Sequence, residues 1–367
     1  MKKITKEEAL KKLEANNYKL SEVLKQNNVS KINLIACGNS ISSGFSMSHY
    51  TKPLLFRNEG IEKILSENSI DLKKYHFARA EDNNDEHIYS WLINNIKLGD
   101  ICKLNRFDLK AMKATGVDES NIDELYPLLD DTTIKGLVEN VKESNVIIYN
   151  GATGSFLDNV TRGGKHYFTE GVKRDCTSIE AFLKYIQEYN RYNCTNIQVY
   201  LCGAPSILKA SDAFINTRLK KIAENYANVT YVENIPKKLL YKKENGGITP
   251  DTHYDEIEYL ELNSKILETI NENYSLKKML IWIDREFYQL NNFYQLGYTS
   301  KEEIDVCIND ILEGFIKRFK GDLKKLKNRD ELLKQIKGYL ISRKHYDFHY
   351  IGKDRIRNSV DEIVKIK

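Results

Sequence analysis

Short apolar runs alternate with helical patterns through the first two thirds of the sequence. Continuous apolar runs of this length are typical of strands buried on both faces of a parallel sheet. The predicted strands cover residues 31–37, 75–79, 145–150, 196–202 and 228–233. The helical patterns between them cover residues 86–96, 133–143, 178–192 and 211–226. This alternation predicts an α/β fold, a three-layer sandwich with a five-stranded, parallel, doubly wound, flavodoxin-like sheet.

Helical patterns also lie on both sides of this alternation. Residues 4–26 are amphipathic, and Thr5 with Glu8 forms a capping-box sequence. We therefore expect an N-terminal helix, within residues 1–30, that packs on an α/β body of residues 31–274. Residues 275–367 show no strand pattern and predict an all-α C-terminal domain. The helical patterns of the last third cover residues 257–270, 276–294, 299–319, 330–343 and 354–366.

Composition and charge narrow the classes of protein and partner. The 367 residues are 41% hydrophobic and 29% charged, as in ordinary globular proteins. Residues 275–367 carry 20 Lys and Arg against 14 Asp and Glu, a net charge of +6 within a total of +4. These charges alternate in sign, which is typical of solvated helices, so we expect no nucleic-acid partner. No apolar run approaches the ~20 residues of a membrane helix, and the first residues lack a secretory signal, which predicts a cytoplasmic protein without a membrane partner.

The cysteine and histidine spacings predict neither a metal site nor a cofactor. The six cysteines include no CxxC pair, and none lies at zinc-ligand spacing from a histidine. Cys37, Cys202 and Cys307 lie in apolar segments, so we expect them to be buried thiols. His345 and His349 would share one helix face, but no third ligand accompanies them.

The loop after the first predicted strand carries a candidate nucleophile. It reads Gly38-Asn-Ser-Ile-Ser-Ser-Gly44 and places Ser40 at a sharp strand-to-helix turn. A helix that starts there would direct N–H groups and its positive dipole end toward developing negative charge. The alternative is that Ser40 is an ordinary helix N-cap.

A candidate base follows the fifth predicted strand, in the sequence Thr249-Pro-Asp-Thr-His253. A histidine can accept a hydroxyl proton near neutral pH, and Asp251 could hold its imidazole in one tautomer. The chain order Ser40, Asp251, His253 is one of the known orders of a catalytic triad. The alternative is a surface histidine in the acidic loop before a helix.

Together these two elements resemble the SGNH hydrolases, also called GDSL esterases and lipases, over residues 31–274. Gly38-Asn39-Ser40 is similar to the family's Gly-Asp-Ser block, and Asn234–Asn263 is similar to its closing block. The resemblance implies a serine that forms an acyl-enzyme and a histidine that serves as base and then acid. The family's aspartate precedes the histidine by three residues, a position that Pro250 occupies here.

The resemblance also implies an oxyanion hole made by the N–H of Ser40, a glycine N–H and an asparagine side chain. The second block, residues 80–85, contains no glycine, so the N–H of Asn84 or of Asn83 would have to serve. In the third block, alignment by strand end selects Thr153, whereas Asn150 provides the amide side chain. Both remain candidates, and we favour Asn150.

The expected function is that of a serine esterase acting on a small or carbohydrate-linked acyl ester, such as an acetyl ester. Arg162 and Lys165 lie in a loop that either contacts the substrate or is simply solvated. Two alternatives stay open. One is an O-acetyltransferase that uses the same serine. The other is a catalytically weak binding or scaffold protein that forms an oligomer or binds a protein partner through residues 275–367.

Overall fold

Five parallel strands form the central sheet, and helices flank it. In chain order they are β1 (Lys31–Gly38), β2 (Asp71–Ala78), β3 (Val146–Asn150), β4 (Gln198–Cys202) and β5 (Val229–Val232). Their spatial order is β2-β1-β3-β4-β5. The computed structural model describes residues 4–38, 58, 60–78, 145–150, 176, 179–180, 182–184, 186–203, 209–235, 240–244, 247–251, 255–300 and 302–325. The predicted α/β fold with a five-stranded parallel sheet is confirmed.

The register of the sheet aligns the carboxyl ends of its first three strands. Gly38, the last residue of β1, pairs with Ala78 of β2 on one side and with Asn150 of β3 on the other. Leu201 of β4 pairs with Tyr149 of β3, one residue before the end of β3. The carboxyl ends of these strands therefore lie along one side of the sheet, which we call the carboxyl edge.

The N-terminal helix α1 (Lys6–Gln26) begins and ends with specific capping contacts. The Thr5 hydroxyl accepts from the Glu8 N–H at 3.2 Å, and the Thr5 N–H donates to the Glu8 carboxylate at 2.8 Å. Both bonds satisfy N–H groups that the helix leaves without partners, so the predicted capping box is confirmed. Beyond the helix, Asn28 adopts a left-handed φ of 57° and turns the chain toward β1.

Helix α2 (Gly60–Glu67) precedes β2, and helix α3 (Lys209–Ala223) precedes β5. Buried amides join α1 to the segment that leads into α2. Asn17 and Asn58 exchange two hydrogen bonds of 2.7 Å between their side chains. Each amide thus satisfies the other inside the protein, where an unpaired amide would be costly.

The structure joins two helices that the sequence predicted as separate. Helix α4 (Glu256–Gln295) runs unbroken through residues 271–275, where the prediction placed a gap. The physical reason is that no Gly or Pro occurs between Glu256 and Gln295, so nothing in the sequence ends the helix. Its end is marked by Gly297, whose φ of 76° is the left-handed conformation of a helix C-terminus.

A β-hairpin that the sequence analysis did not predict precedes α4. Its strands are β6 (Leu240–Glu244) and β7 (Gly247–Asp251), which pair antiparallel so that Leu240 lies opposite Asp251. Part of the predicted closing block, residues 234–263, is therefore a β-hairpin. The sequence signal was Asn245-Gly246, a dipeptide favoured in two-residue hairpin turns.

The chain divides into two compact units. The first contains residues 1–185, 197–224 and 229–271, and the second contains residues 186–196, 225–228 and 272–367. The boundary between the units falls within α4, so the second unit contains α4 from Glu272 onward. It also contains helix α5 (Ile304–Lys325) and the helical residues 186–193. Its core is an apolar cluster of α4 and α5 side chains that includes Met279, Ile283, Phe287, Ile308 and Phe315.

Candidate functional site

The candidate site lies where β1 and β3 end side by side at the carboxyl edge. Because Gly38 and Asn150 are register partners, the loop that carries Ser40 starts directly beside the last residue of β3. In an open parallel sheet, ligands bind beyond the carboxyl ends of the strands, at the point where the strand order reverses. Here that point is between β1 and β3, because β2 lies on the other side of β1.

The structure locates two of the predicted site residues. Asn150 is the last residue of β3 and Asp251 is the last residue of β7. The backbone of Asp251 is held by pairing with Leu240 across the hairpin. The other predicted site residues lie outside the described residues: Ser40, Asn84, Thr153, Arg162, Lys165 and His253. Their roles, and those of the Asn150 and Asp251 side chains, stay predictions.

The segment that contains His253 lies between two ordered elements. Asp251 ends β7, and Asp255 caps α4. The Asp255 carboxylate accepts from the Glu258 N–H at 2.8 Å, and the Glu258 carboxylate accepts from the Asp255 N–H at 2.8 Å. This reciprocal pair is a capping box with aspartate in place of serine or threonine, and it fixes where α4 starts.

The corner between β4 and β5 is a second polar part of the carboxyl edge. Gly203 follows β4, and its N–H donates to the Val232 carbonyl at 2.9 Å. A side chain here would overlap the Tyr231 hydroxyl and lie 2.8 Å from Asn216 Oδ1, so the close approach requires glycine. The Asn234 side chain donates from Nδ2 to the Gly203 carbonyl at 2.6 Å. The sequence predicted that the chain leaves the fourth and fifth strands at Gly203 and Asn234, but not the hydrogen bond between these two residues.

Two titratable groups of this corner, the Cys202 thiol and the Tyr231 hydroxyl, are protonated near neutral pH. Burial raises the pKa of the Cys202 thiol to about 12. Burial, followed by the charges of Glu233 and Cys202, raises the pKa of the Tyr231 hydroxyl as well. A thiol with a raised pKa is a poor nucleophile, because only the thiolate attacks. Cys202 is therefore an unreactive buried thiol, and its predicted burial is confirmed.

Among the described residues, no three His, Cys, Asp or Glu side chains are placed to hold a metal ion. Cys307 is half-buried, less than the sequence predicted, and Cys194 is exposed; both are free thiols. Within the described ranges, every helix is too short or too polar to span a lipid bilayer.

The chain was compared with protein-family models, curated proteins and solved structures. No protein-family model matches the chain, and no curated protein and no solved structure matches it either. The resemblance of Gly38-Asn39-Ser40 to the Gly-Asp-Ser block therefore stays a prediction from the sequence.

Proposed function

We propose that the protein is a serine esterase that hydrolyses a small or carbohydrate-linked acyl ester through an acyl-enzyme. Ser40 attacks the ester carbonyl while His253 accepts its proton, and His253 then returns that proton to the departing alcohol. Asp251 orients the imidazole of His253. Water hydrolyses the acyl-enzyme in the second half of the reaction, with His253 again acting as base.

One observation carries this proposal, the pairing of Gly38 with Asn150 at the carboxyl edge. The candidate nucleophile lies two residues after Gly38, and the favoured oxyanion donor is Asn150 itself. Two motifs separated by more than a hundred residues in the sequence thus start from adjacent strands. An acyl transfer reaction needs this neighbourhood, because the nucleophile and the oxyanion donors must both reach one carbonyl group.

The sheet supports the finer fold proposal, a three-layer flavodoxin-like sandwich of the SGNH type. Its observed order β2-β1-β3-β4-β5 is the order of flavodoxin-like sheets, whose ligands bind between β1 and β3. In this arrangement the Ser40 N–H and the Asn150 side chain would hold the oxyanion. Thr153 is the alternative to Asn150, and the N–H of Asn84 or of Asn83 would be the remaining donor.

A small or carbohydrate-linked acyl ester is the proposed substrate, because the sequence contains no long apolar run of the kind that would line a lipid tunnel. Arg162 and Lys165 would contact its polar part.

Labelling with a fluorophosphonate probe, together with turnover of p-nitrophenyl acetate, tests the proposal. The wild-type protein should be labelled on Ser40, and Ser40→Ala should abolish labelling and lower kcat by at least about 10³-fold. Ser43→Ala is the matched control, since Ser43 lies in the same loop and should be dispensable. Asn150→Ala should keep the labelling site but lower kcat by about 10²–10³-fold.

Two outcomes would overturn the esterase proposal. The first is a wild-type protein that neither reacts with the probe nor turns over the ester. The second is a Ser40→Ala variant that behaves like the wild type. Partition of the acyl-enzyme between water and an added sugar alcohol separates hydrolysis from O-acetyl transfer, because a transferase forms mainly the new ester.

An exposed apolar surface in the second unit favours a binding role as the second candidate function. Leu296 is 70% exposed and Tyr298 is 76% exposed. Both residues directly follow the end of α4. Large exposed apolar side chains that lie close together often mark interaction sites. If they hold an oligomer together, Leu296→Glu with Tyr298→Glu should lower the mass measured by light scattering. A monomeric wild type would remove the oligomer from consideration.

A further inference from the structure

Asn234 joins the two chain segments that leave β4 and β5 at the carboxyl edge. Its Nδ2 donates to the Gly203 carbonyl at 2.6 Å, and its Oδ1 accepts from the Ile235 N–H at 2.8 Å. The side chain is only 7% exposed. An asparagine amide can donate and accept at the same time, so one buried side chain fixes both segments.

The position of this amide in the chain gives it a link to the proposed base. Gly203 is the first residue after β4, and Asn234 is the second residue after β5. From Asn234 the chain continues into the β6–β7 hairpin, which ends at Asp251, two residues before His253. The bond to Gly203 therefore anchors, on the sheet, the start of the segment that leads along the chain to His253.

We propose that Asn234 is a positioning residue for His253. This inference rests on the proposed esterase function, in which His253 is the base. Asn234 acts through the backbone, because its two hydrogen bonds set where the chain leaves the sheet before the hairpin. A catalytic base displaced by about 1 Å can lower the rate by as much as 10²-fold, so a lost anchor should be visible in kcat.

Three variants distinguish the effect of losing these two hydrogen bonds from the effect of replacing any buried asparagine. Asn234→Ala removes both bonds. Asn234→Asp keeps an acceptor for the Ile235 N–H but cannot donate to the Gly203 carbonyl. Asn27→Ala is the matched control. Asn27 lies far from the carboxyl edge, four residues before the start of β1. Asn27 is 6% exposed and also donates from Nδ2 to a backbone carbonyl, that of Val23, at 2.9 Å.

Two readouts are measured on each full-length variant. Hydrogen exchange by mass spectrometry follows the amides near Gly203 and Ile235. Steady-state hydrolysis of p-nitrophenyl acetate across pH gives kcat, KM and the apparent pKa of the base. For Asn234→Ala we expect exchange at least about tenfold faster at these amides than in Asn27→Ala, because the Ile235 N–H and the Gly203 carbonyl lose their partner.

In the same variant kcat should fall by about 10–10²-fold with KM nearly unchanged, and the apparent pKa of the base should move. Asn234→Asp should lose as much kcat as Asn234→Ala, since the bond to Gly203 is missing in both. Asn27→Ala should keep the wild-type kcat and pH profile even if it lowers stability.

The results distinguish failure of this inference from failure of the esterase proposal. An active wild type, with Asn234→Ala matching Asn27→Ala in kcat and in exchange, would overturn the positioning role and leave the esterase intact. Equal activity of Asn234→Asp and the wild type would also overturn it, because the bond to Gly203 would then be dispensable. A wild type that is inert toward both the probe and the ester would overturn both proposals, whatever the exchange shows.

Discussion

Removing one partner of the Arg191–Asp284 ion pair should destabilise the second unit far more than removing a surface ion pair does. Arg191 donates from Nε and Nη2 to the two carboxylate oxygens of Asp284, both at 2.8 Å. The two side chains are only 7% and 3% exposed. The guanidinium also lies 4.4 Å from the ring centre of Tyr288. The pair thus joins the helical residues 186–193 to α4 inside the second unit.

The magnitude follows from burial. Asp284→Asn removes the carboxylate that faces the buried Arg191 guanidinium, and loss of one partner of a buried pair costs about 3–5 kcal/mol. The surface pair Lys11–Glu7 has a similar distance of 3.0 Å, but its side chains are 73% and 79% exposed. Lys11→Gln should therefore cost only about 0.3–0.5 kcal/mol.

A double variant distinguishes two contributions to the free energy of unfolding: the cost of burying a charge whose partner is removed, and the stabilisation that the intact ion pair provides. Arg191→Met with Asp284→Leu removes both charges and keeps apolar volume, so we expect stability near that of the wild type. If the double variant were as unstable as Asp284→Asn, packing or hydrogen bonding would account for the loss, and the reasoning from desolvation would be wrong.

The assay is urea unfolding followed by the fluorescence of Trp282. This side chain packs against Phe315 and Phe319, with ring centres 6.0 and 5.9 Å away, so it reports on the second unit. Because Trp91 would add its own signal, all variants carry Trp91→Phe. A loss below about 1 kcal/mol for Asp284→Asn would refute the prediction, since a surface pair has that magnitude.

Substitutions to or from glycine give three further predictions, measured by urea unfolding. Ser69 has a left-handed φ of 60° after α2, so Ser69→Gly should stabilise the protein by about 1 kcal/mol, whereas Ser66→Gly inside α2 should destabilise it by about 0.5 kcal/mol. A Cβ at Gly321 in α5 meets no atom within 4 Å, so Gly321→Ala should stabilise by about 1 kcal/mol. Gly203→Ala should destabilise by about 1–3 kcal/mol, because its Cβ meets Tyr231.

The parallel sheet could be predicted from the sequence because its inner strands are buried on both faces. All five side chains of β4 are buried, so burial produces a continuous apolar run that stands out from the helices. The start of β2 was missed for the opposite reason. β2 lies at the edge of the sheet, and its first half contains Lys73 and Lys74, which interrupt the apolar pattern.

The hairpin before α4 was missed because its strands are short and partly polar. β6 reads Leu-Tyr-Lys-Lys-Glu, and β7 contains Pro250, which usually argues against a strand. A two-stranded hairpin tolerates such residues, because each of its strands pairs on one side only and so has a free outer side, where a proline removes no ladder hydrogen bond. The gap placed in α4 had a related origin. Residues 271–275 are mostly polar, yet Tyr274 is buried, so the helix continues where the apolar pattern weakens.

The candidate site divides into a part that the sheet determines and a part that it does not. Sheet register sets the distance between the loop after Gly38 and Asn150, and register follows from buried apolar strands, so the sequence could predict that neighbourhood. In the proposed enzyme, the hairpin and the Asp255 cap of α4 hold the chain before and after His253, and Asn234 anchors the segment that leads into the hairpin. These contacts are made by polar side chains in connecting segments, whose partners no hydrophobic periodicity reveals. In the proposed enzyme, variants of the sheet should therefore lower stability first, whereas variants of these polar contacts should lower kcat first.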